Sequence, residues 1–362
     1  MSAESNVTLT IDERSVTVPQ GSTIWEAADS VGIHIPTLCH SPKLRPVAVC
    51  RVCAVEVEKS RTMPAACIRE VEEGMVVRTD TDKVQRARKT LVELLLSEHP
   101  SPCVQHQATH DCELELLGEQ MDISTPRFNA ETAVSQLHVP DTSSPVIAVD
   151  LNACILCDRC IRACDEVQVN NVIGRAKKGY NTHIAFDTDV PMGESTCVSC
   201  GECMAACPTG ALVNKPITEG VGSDVETVDS VCPYCGVGCG VTYHVRDNKI
   251  IHVAGRDDTH TEGRLCVKGR YGYDYSHHIQ RLTVPLIRKD EAYPKEALSA
   301  DFKSYKEFRQ SLRSPEWNER IRDTFREATW DEALDLTAKR LMDIKQAHGP
   351  GALAGFGSAK GS

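Results

Sequence analysis

Two runs of cysteine at one unusual spacing constrain this chain more than any other feature. Cys154, Cys157, Cys160 and Cys164 read C-x2-C-x2-C-x3-C, and Cys197, Cys200, Cys203 and Cys207 repeat it, with Pro208 following. Three thiolates so closely spaced fall on one tight loop and grip three corners of an iron–sulfur cubane, while the fourth reaches a second cubane. This implies one [4Fe–4S] cluster on Cys154, Cys157, Cys160 and Cys207, and another on Cys197, Cys200, Cys203 and Cys164. Four-thiolate zinc sites use two separated pairs, not a triplet plus one, twice over. The N-terminal MSAESNVTLTIDERS lacks the basic-then-apolar pattern of a secretory signal and has no twin arginine. A reducing, cytoplasmic setting is therefore expected, and it disfavours disulfides.

Composition sets outer limits. The 362 residues suffice for two or three ordinary domains. A formal net charge of −11 argues against a nucleic-acid surface. No run of about 18 apolar residues is present, so no membrane span is expected. Aromatic residues are only 5% of the chain, so metal–thiolate bonds are expected to supply much of the folding energy of small modules.

The eighteen cysteines divide further. Cys39, Cys50, Cys53 and Cys67 are spaced C-x10-C-x2-C-x13-C. Before them, Val7–Ile11 and Ser15–Val18 alternate with period two, as a β-hairpin does, and TIWEAADSVG reads as a short helix ending at Gly32. Cys53–Glu58 and Met75–Thr79 read as further strands. This hairpin, helix and cysteine loop resemble the β-grasp fold of [2Fe–2S] ferredoxins. "PTLCHSPKL…CRVCAVEVE" resembles the N-terminal module of complex I large subunits, iron-only hydrogenases and formate dehydrogenases. Those relatives usually carry glycine where Ala48 stands, and alanine costs little there if φ is negative. The repeated runs match bacterial-type ferredoxins, with Asp165 where the first run often has proline.

Cys232, Cys235, Cys239 and Cys266 are spaced C-x2-C-x3-C-x26-C, a spacing that a zinc ribbon could nearly produce. The flanking CPYCGVGC and LCVKG resemble the [4Fe–4S] domain that opens molybdopterin oxidoreductases. That resemblance implies that Lys268 lies between cluster and pterin, as cofactor-binding residue and electron relay. Without it, Lys268 would read as a solvated surface lysine.

Cys103 and Cys112 remain, in HPSPCVQHQATHDC (His99–Cys112). A helix over Lys83–Glu98 precedes them, with Val84, Ala87, Leu91, Leu94 and Leu95 on one apolar face. Complex I and formate dehydrogenases hold a [4Fe–4S] cluster at the matching stretch through His-x3-Cys-x2-Cys-x5-Cys. Here His99, Cys103 and Cys112 fill the first, second and fourth places, and His106 takes the third. Three outcomes stay open: a cubane with two imidazoles and a raised potential, an absent or labile cluster, or zinc on two cysteines and two histidines. His110 reads as a bystander.

The expected architecture is an α+β multi-module chain. It comprises a β-grasp [2Fe–2S] ferredoxin (1–78), a histidine–cysteine module (79–125) and a two-cluster ferredoxin (140–216). A molybdopterin-oxidoreductase [4Fe–4S] lobe (225–281) and the start of the molybdopterin-binding domain (282–362) follow. Ser135–Val146 and Asn214–Asp224 read as linkers. Thr329–Glu332 forms a capping box for a following helix, and ALAGFG reads as a buried strand entering a turn, GFGSAKGS, that fails the P-loop pattern. The order of modules is most similar to the catalytic subunit of NAD-dependent formate dehydrogenases. That resemblance implies formate oxidation to carbon dioxide at a molybdenum or tungsten bis-pterin guanine dinucleotide centre in the complete protein. Electrons would pass to the Cys232–Cys266 cluster, along the ferredoxin clusters, and out to a flavin- and NAD-binding partner subunit. The active-site residue would lie beyond Ser362, so no catalytic residue is expected in this chain. A stand-alone electron carrier, or a component of a complex I-like NADH dehydrogenase, is the alternative.

Overall fold

The computed structural model describes residues 5–128, 138–215, 225–278, 281–290, 319 and 323–355. The chain forms two compact units, one of residues 1–232 with 238–273, the other of 233–237 with 274–362.

The first unit opens with a four-stranded sheet. Strands β1 (Asn6–Ile11) and β2 (Arg14–Pro19) form a hairpin whose turn residues, Asp12 and Glu13, both have positive φ, the backbone twist that two-residue hairpins favour. β3 (Glu56–Val57) and β4 (Val76–Arg78) complete the order β2-β1-β4-β3, with β4 parallel to β1. Helix α1 (Ile24–Asp29) starts at a capping box in which Thr23 and Glu26 satisfy each other's backbone amides. Its Ile24, Ala27 and Ala28 share one core with Leu9, Ile11, Val16, Val18, Val55 and Val77. This is the β-grasp arrangement expected from the alternating pattern.

Helix α2 (Asp82–Leu96) follows. Its buried face is Val84, Arg88, Val92, Glu93 and Leu96, and Leu94 is 46% exposed. The stripe is thus rotated from the one read in the sequence. The cause is that two charged residues are buried with partners: Arg88 donates to the carbonyl of Ala54 at 3.1 Å, and Glu93 pairs with Arg127. Two short helices, α3 (Val104–Thr109) and α4 (Glu113–Gln120), then carry the histidine–cysteine stretch.

The next module is built on two antiparallel pairs, β5 (Ile147–Val149) with β8 (Leu212–Asn214) and β6 (Ile173–Ala176) with β7 (His183–Phe186). Helices α5 (Arg159–Arg162) and α6 (Glu202–Ala206) follow its two cysteine triplets. The stretch before β5 does not behave as a linker where it is described. Asp141 bridges Val149 and accepts from the amide of Met192 at 2.7 Å, and Lys215 donates to the carbonyls of Thr142 and Ser144. Residues 216–224 of the second expected linker lie outside the described residues.

A three-stranded antiparallel sheet of β9 (Glu226–Val231), β10 (Gly240–Arg246) and β11 (Lys249–Gly255), with helix α7 (Val267–Tyr271), completes the first unit. In the second unit, β12 (Leu286–Arg288) pairs with β13 (Phe325–Glu327), and helix α8 (Trp330–His348) starts where Thr329 Oγ1 accepts from the amide of Glu332. Glu332 pairs with Arg326 instead of closing the capping box. The apolar positions Leu334, Leu341 and Ile344 are exposed. The strand expected over ALAGFG is absent among the described residues. Ala352 ends a single 3-10 turn, residues 353–355 are exposed and outside any strand, and 356–362 lie outside the described part. The described β12–β13 pair is only two strands wide, with no third strand among the described residues beside it. No helix among the described residues is long and apolar enough to cross a membrane.

Candidate metal centres

The loop after α1 gathers Cys39, Cys50, Cys53 and Cys67. Three of them are 1% exposed, and the Cys39 amide donates to Cys50 Sγ at 3.4 Å. Hydrogen bonds from the Cys50 and Cys67 thiols hold the Cys39 sulfur down to about 2, and the Cys67 thiol holds Cys53 to about 7. Four sulfurs so close, with backbone donors at their edge, suit a metal-rich, thiolate-ligated group of the [2Fe–2S] type. Ala48 has φ +52° and Arg51 φ +61°, so the condition under which alanine costs little is not met. Exchanging Ala48→Gly is expected to raise stability by about 1 kcal/mol, because an L-residue in the left-handed region carries about that strain. A shift in the denaturant midpoint measures it.

The two triplets are wrapped alike. Leu156 and Asp158 flank Cys157 with positive φ, and Ser199 and Gly201 flank Cys200 in the same way. The amide of Leu156 reaches Cys154 Sγ at 3.4 Å, and that of Ser199 reaches Cys197 Sγ at 3.4 Å. Alternating backbone hand turns successive N–H groups inward, a concavity that suits anionic clusters. Cys154, Cys157, Cys160 and Cys207 line one cavity, together with Leu151, Ile155 and Ile184 among others. Burial pushes the Cys154 thiol up to about 12 and those of Cys160 and Cys203 well above the ordinary range. Buried thiolates are costly until a cation neutralises them, so these residues fit cubane iron.

At the lobe, Cys232 follows β9, Cys239 precedes β10, and the Cys232 amide donates to the Cys239 carbonyl at 2.9 Å. Cys266 caps α7, and Gly269 on that helix lies against Cys232 Sγ. Cys235 falls in the stretch 233–237, which belongs to the second unit. Lys268 is exposed on α7, two residues after Cys266. The same helix carries Arg270, which pairs with Glu202 at 2.7 Å and donates to the Cys200 carbonyl at 3.2 Å. Both members of the pair are buried. Glu202→Gln is expected to destabilise the chain by about 3–5 kcal/mol, since it leaves a buried guanidinium without its anion. Equilibrium denaturation of the cluster-loaded chain reads it. Gly201 is confined too: a Cβ there would lie 2.4 Å from Arg270 Cδ and 2.5 Å from the Tyr271 hydroxyl.

The opened question at His99–Cys112 takes a different form. His99, Cys103, Cys112 and Glu115 are all buried, and their ligand atoms lie within 4.8 Å of one another. His106 is not among them; its Nε2 faces Glu119 Oε1 at 3.4 Å and its ring packs edge-on against His110. Glu115 is a site residue that sequence reasoning missed. Its place in the first turn of α4 reads as an ordinary helix opener, yet its carboxylate accepts from the Cys103 amide rather than from the Cys112 cap.

Arginines tie the modules together. Arg162 donates to the carbonyls of Cys39 at 2.5 Å, Cys157 at 3.3 Å and Arg45. Arg159 donates to the Leu38 carbonyl and pairs with Glu113 at 2.7 Å. One apolar core runs through Leu38, Val52, Cys103, Cys112, Ala153 and Ala211, with Cys50, Cys154 and Cys207 packed against it. Three cysteine groups thus meet in one packed region.

Family models match four stretches of the chain. Residues 4–82 match the 2Fe-2S iron-sulfur cluster binding domain, and 153–211 the 4Fe-4S dicluster domain. Residues 225–278 match the molybdopterin oxidoreductase Fe4S4 domain, and 281–362 the molybdopterin oxidoreductase family. The chain is 33% identical to the NADPH-Fe(3+) oxidoreductase subunit alpha of Geobacter sulfurreducens, over 98% of this chain and 37% of the relative. It is 36% identical to an NADH-quinone oxidoreductase subunit of Rhizobium meliloti, over 78% of this chain and 33% of the relative. The chain therefore spans about a third of the length of these curated relatives. A crystal structure of an NAD+-reducing [NiFe]-hydrogenase superposes with a TM-score of 0.53 at 27% identity, over 58% of this chain and 87% of that one. The chain carries a [2Fe–2S] ferredoxin domain, a [4Fe–4S] dicluster domain and the first parts of a molybdopterin oxidoreductase, and it is related to subunits of NADH-quinone oxidoreductases and NAD-reducing hydrogenases.

Proposed function

We propose that this chain is the electron-conducting portion of a molybdopterin-dependent formate dehydrogenase, passing electrons from the pterin side to a flavin- and NAD-binding partner subunit. The observation that carries the conducting role is the pair of buried arginine clamps. Arg270 joins the Cys200 loop to the Cys266 helix, and Arg162 joins the Cys157 loop to the Cys39 loop. Successive cluster loops fixed to one another keep electron-transfer distances short and constant, as preorganised sites require.

A bound molybdenum or tungsten pterin would supply the substrate oxidation. The chain's own residues hold clusters, exclude water and aim N–H groups at sulfur, which tunes cluster potentials. Lys268, two residues after Cys266, is the residue we assign as the relay between the lobe cluster and the pterin. Formate as substrate rests on the order of modules, which is similar to that of NAD-dependent formate dehydrogenases. The 33% identity to an NADPH-Fe(3+) oxidoreductase subunit favours a second reading, in which reduced nicotinamide is the donor and a ferric compound the acceptor.

The test uses the enzyme purified from its source cells with its partner subunits. Formate-dependent reduction of NAD supports the first reading. Ferric chelate reduction by NADPH, without formate turnover, supports the second and overturns the first.

A further inference from the structure

We propose that His99, Cys103, Cys112 and Glu115 form a mononuclear, tetrahedral divalent-cation site of the zinc type, in the place where related modules hold a cubane. Zinc arms of about 2.0–2.3 Å meeting at the tetrahedral angle put neighbouring donor atoms about 3.3–3.8 Å apart. His99 Nε2 lies 3.7 Å from Cys112 Sγ and 3.3 Å from Glu115 Oε1. The Cys103 and Cys112 sulfurs are within hydrogen-bonding reach of each other. The two printed separations match edges of a single-ion tetrahedron, and all four ligand atoms lie within 4.8 Å of one another.

A cubane makes a different demand. It presents one iron at each of four outward corners, so its ligands must surround an open cage. Cys154, Cys157, Cys160 and Cys207 do so around their cavity, and among the described residues no hydrogen bond joins any two of them. The His99 group closes on itself. The third place in the cubane motif belongs to His106, and that imidazole is directed at Glu119.

Glu115 supplies an independent observation. Its carboxylate is 7% exposed and takes hydrogen bonds from the Cys103 amide at 2.8 Å and from Ser101 Oγ. Among the described residues no lysine or arginine is paired with it. A buried carboxylate beside two thiols is costly unless a cation neutralises the group. Cys103 and Cys112 each cap a short helix, and the backbone amides of His106 and Glu115 point back at their sulfurs. These N–H groups would orient both sulfurs as ligands.

The site has a structural use. Gly210 passes so near that a Cβ there would lie 3.0 Å from Cys103 Sγ. A closed-shell ion would hold the end of α2 and the starts of α3 and α4 together beside the Cys207 loop without carrying electrons. The conducting path would then run directly between the loops that Arg162 joins. This inference does not depend on formate being the substrate.

The experiment measures metals in the full 362-residue chain purified anaerobically, with His106→Ala and Glu115→Gln beside it. We expect about one zinc per wild-type chain, full zinc in His106→Ala, and at least about tenfold faster loss to a chelator in Glu115→Gln. Cobalt(II) added to zinc-stripped wild-type chain reads the same site without a variant; tetrahedral ligand-field bands with sulfur-to-cobalt charge transfer are expected. A chain without zinc, or zinc lost in His106→Ala but retained in Glu115→Gln, overturns the proposal. So does cobalt without thiolate bands, or an additional cubane signal that His106→Ala abolishes.

Discussion

Anaerobic removal of iron is expected to unfold residues 140–216 while the sheet of β1 to β4 stays folded. The two modules differ in what fills their cores. The first packs Cys53 and Cys67 beside a larger apolar set that includes Leu9, Ile11, Val16, Val18, Ile24, Val55 and Val77, enough to hold its sheet without metal. The second packs Cys160, Cys164 and Cys203 into its core, around a cavity that cluster atoms would fill. Metal binding at such sites contributes on the order of 10 kcal/mol, more than a small domain's whole stability. Hydrogen exchange should show amides of β6 and β7 losing protection after chelation and those of β1 and β2 keeping it. Equal loss in both modules would contradict the assignment of folding energy to metal.

Replacing Arg162 is the second large effect. Its guanidinium is buried and donates to the carbonyls of Cys39, Arg45 and Cys157, which come from two cluster loops. Hydrogen bonds to a charged group are worth about 1.5–3 kcal/mol each, and buried carbonyls left without a donor add cost. Arg162→Met, which keeps the aliphatic stem, should destabilise the cluster-loaded chain by about 3–5 kcal/mol. Electron exchange between the Cys39 group and the neighbouring cubane should slow at the same time. Arg162→Lys should recover less than half, since one ammonium does not span the fork of a guanidinium. Loss of stability with unchanged electron exchange would reduce Arg162 to a structural role.

The closely spaced cysteine triplets were legible because their spacing is local, and so was the β-grasp hairpin. Long-range features were not. Arg162 reaches carbonyls 123 and 117 positions away, which no window of sequence reveals. The stripe of α2 was misread because Arg88 and Glu93 are polar by type yet buried by pairing. Segment 138–146 carries Pro and Ser like a linker, but Asp141 and the backbone carbonyls that receive Lys215 fasten it to the dicluster module. Glu115 escaped because an acid is a common helix opener, and only the fold brings it to His99. Ala48 shows the converse: its identity stands out in the sequence, but its sign of φ had to come from the structure.

The measurement that bears most directly on the central claim is a reductive titration of the anaerobically reconstituted full chain, with iron, sulfide and electron uptake counted together. The account predicts one [2Fe–2S] and three [4Fe–4S] centres taking up about four electrons per chain, one per cluster. A colourless chain that holds zinc on its cysteines and accepts no electrons would contradict it.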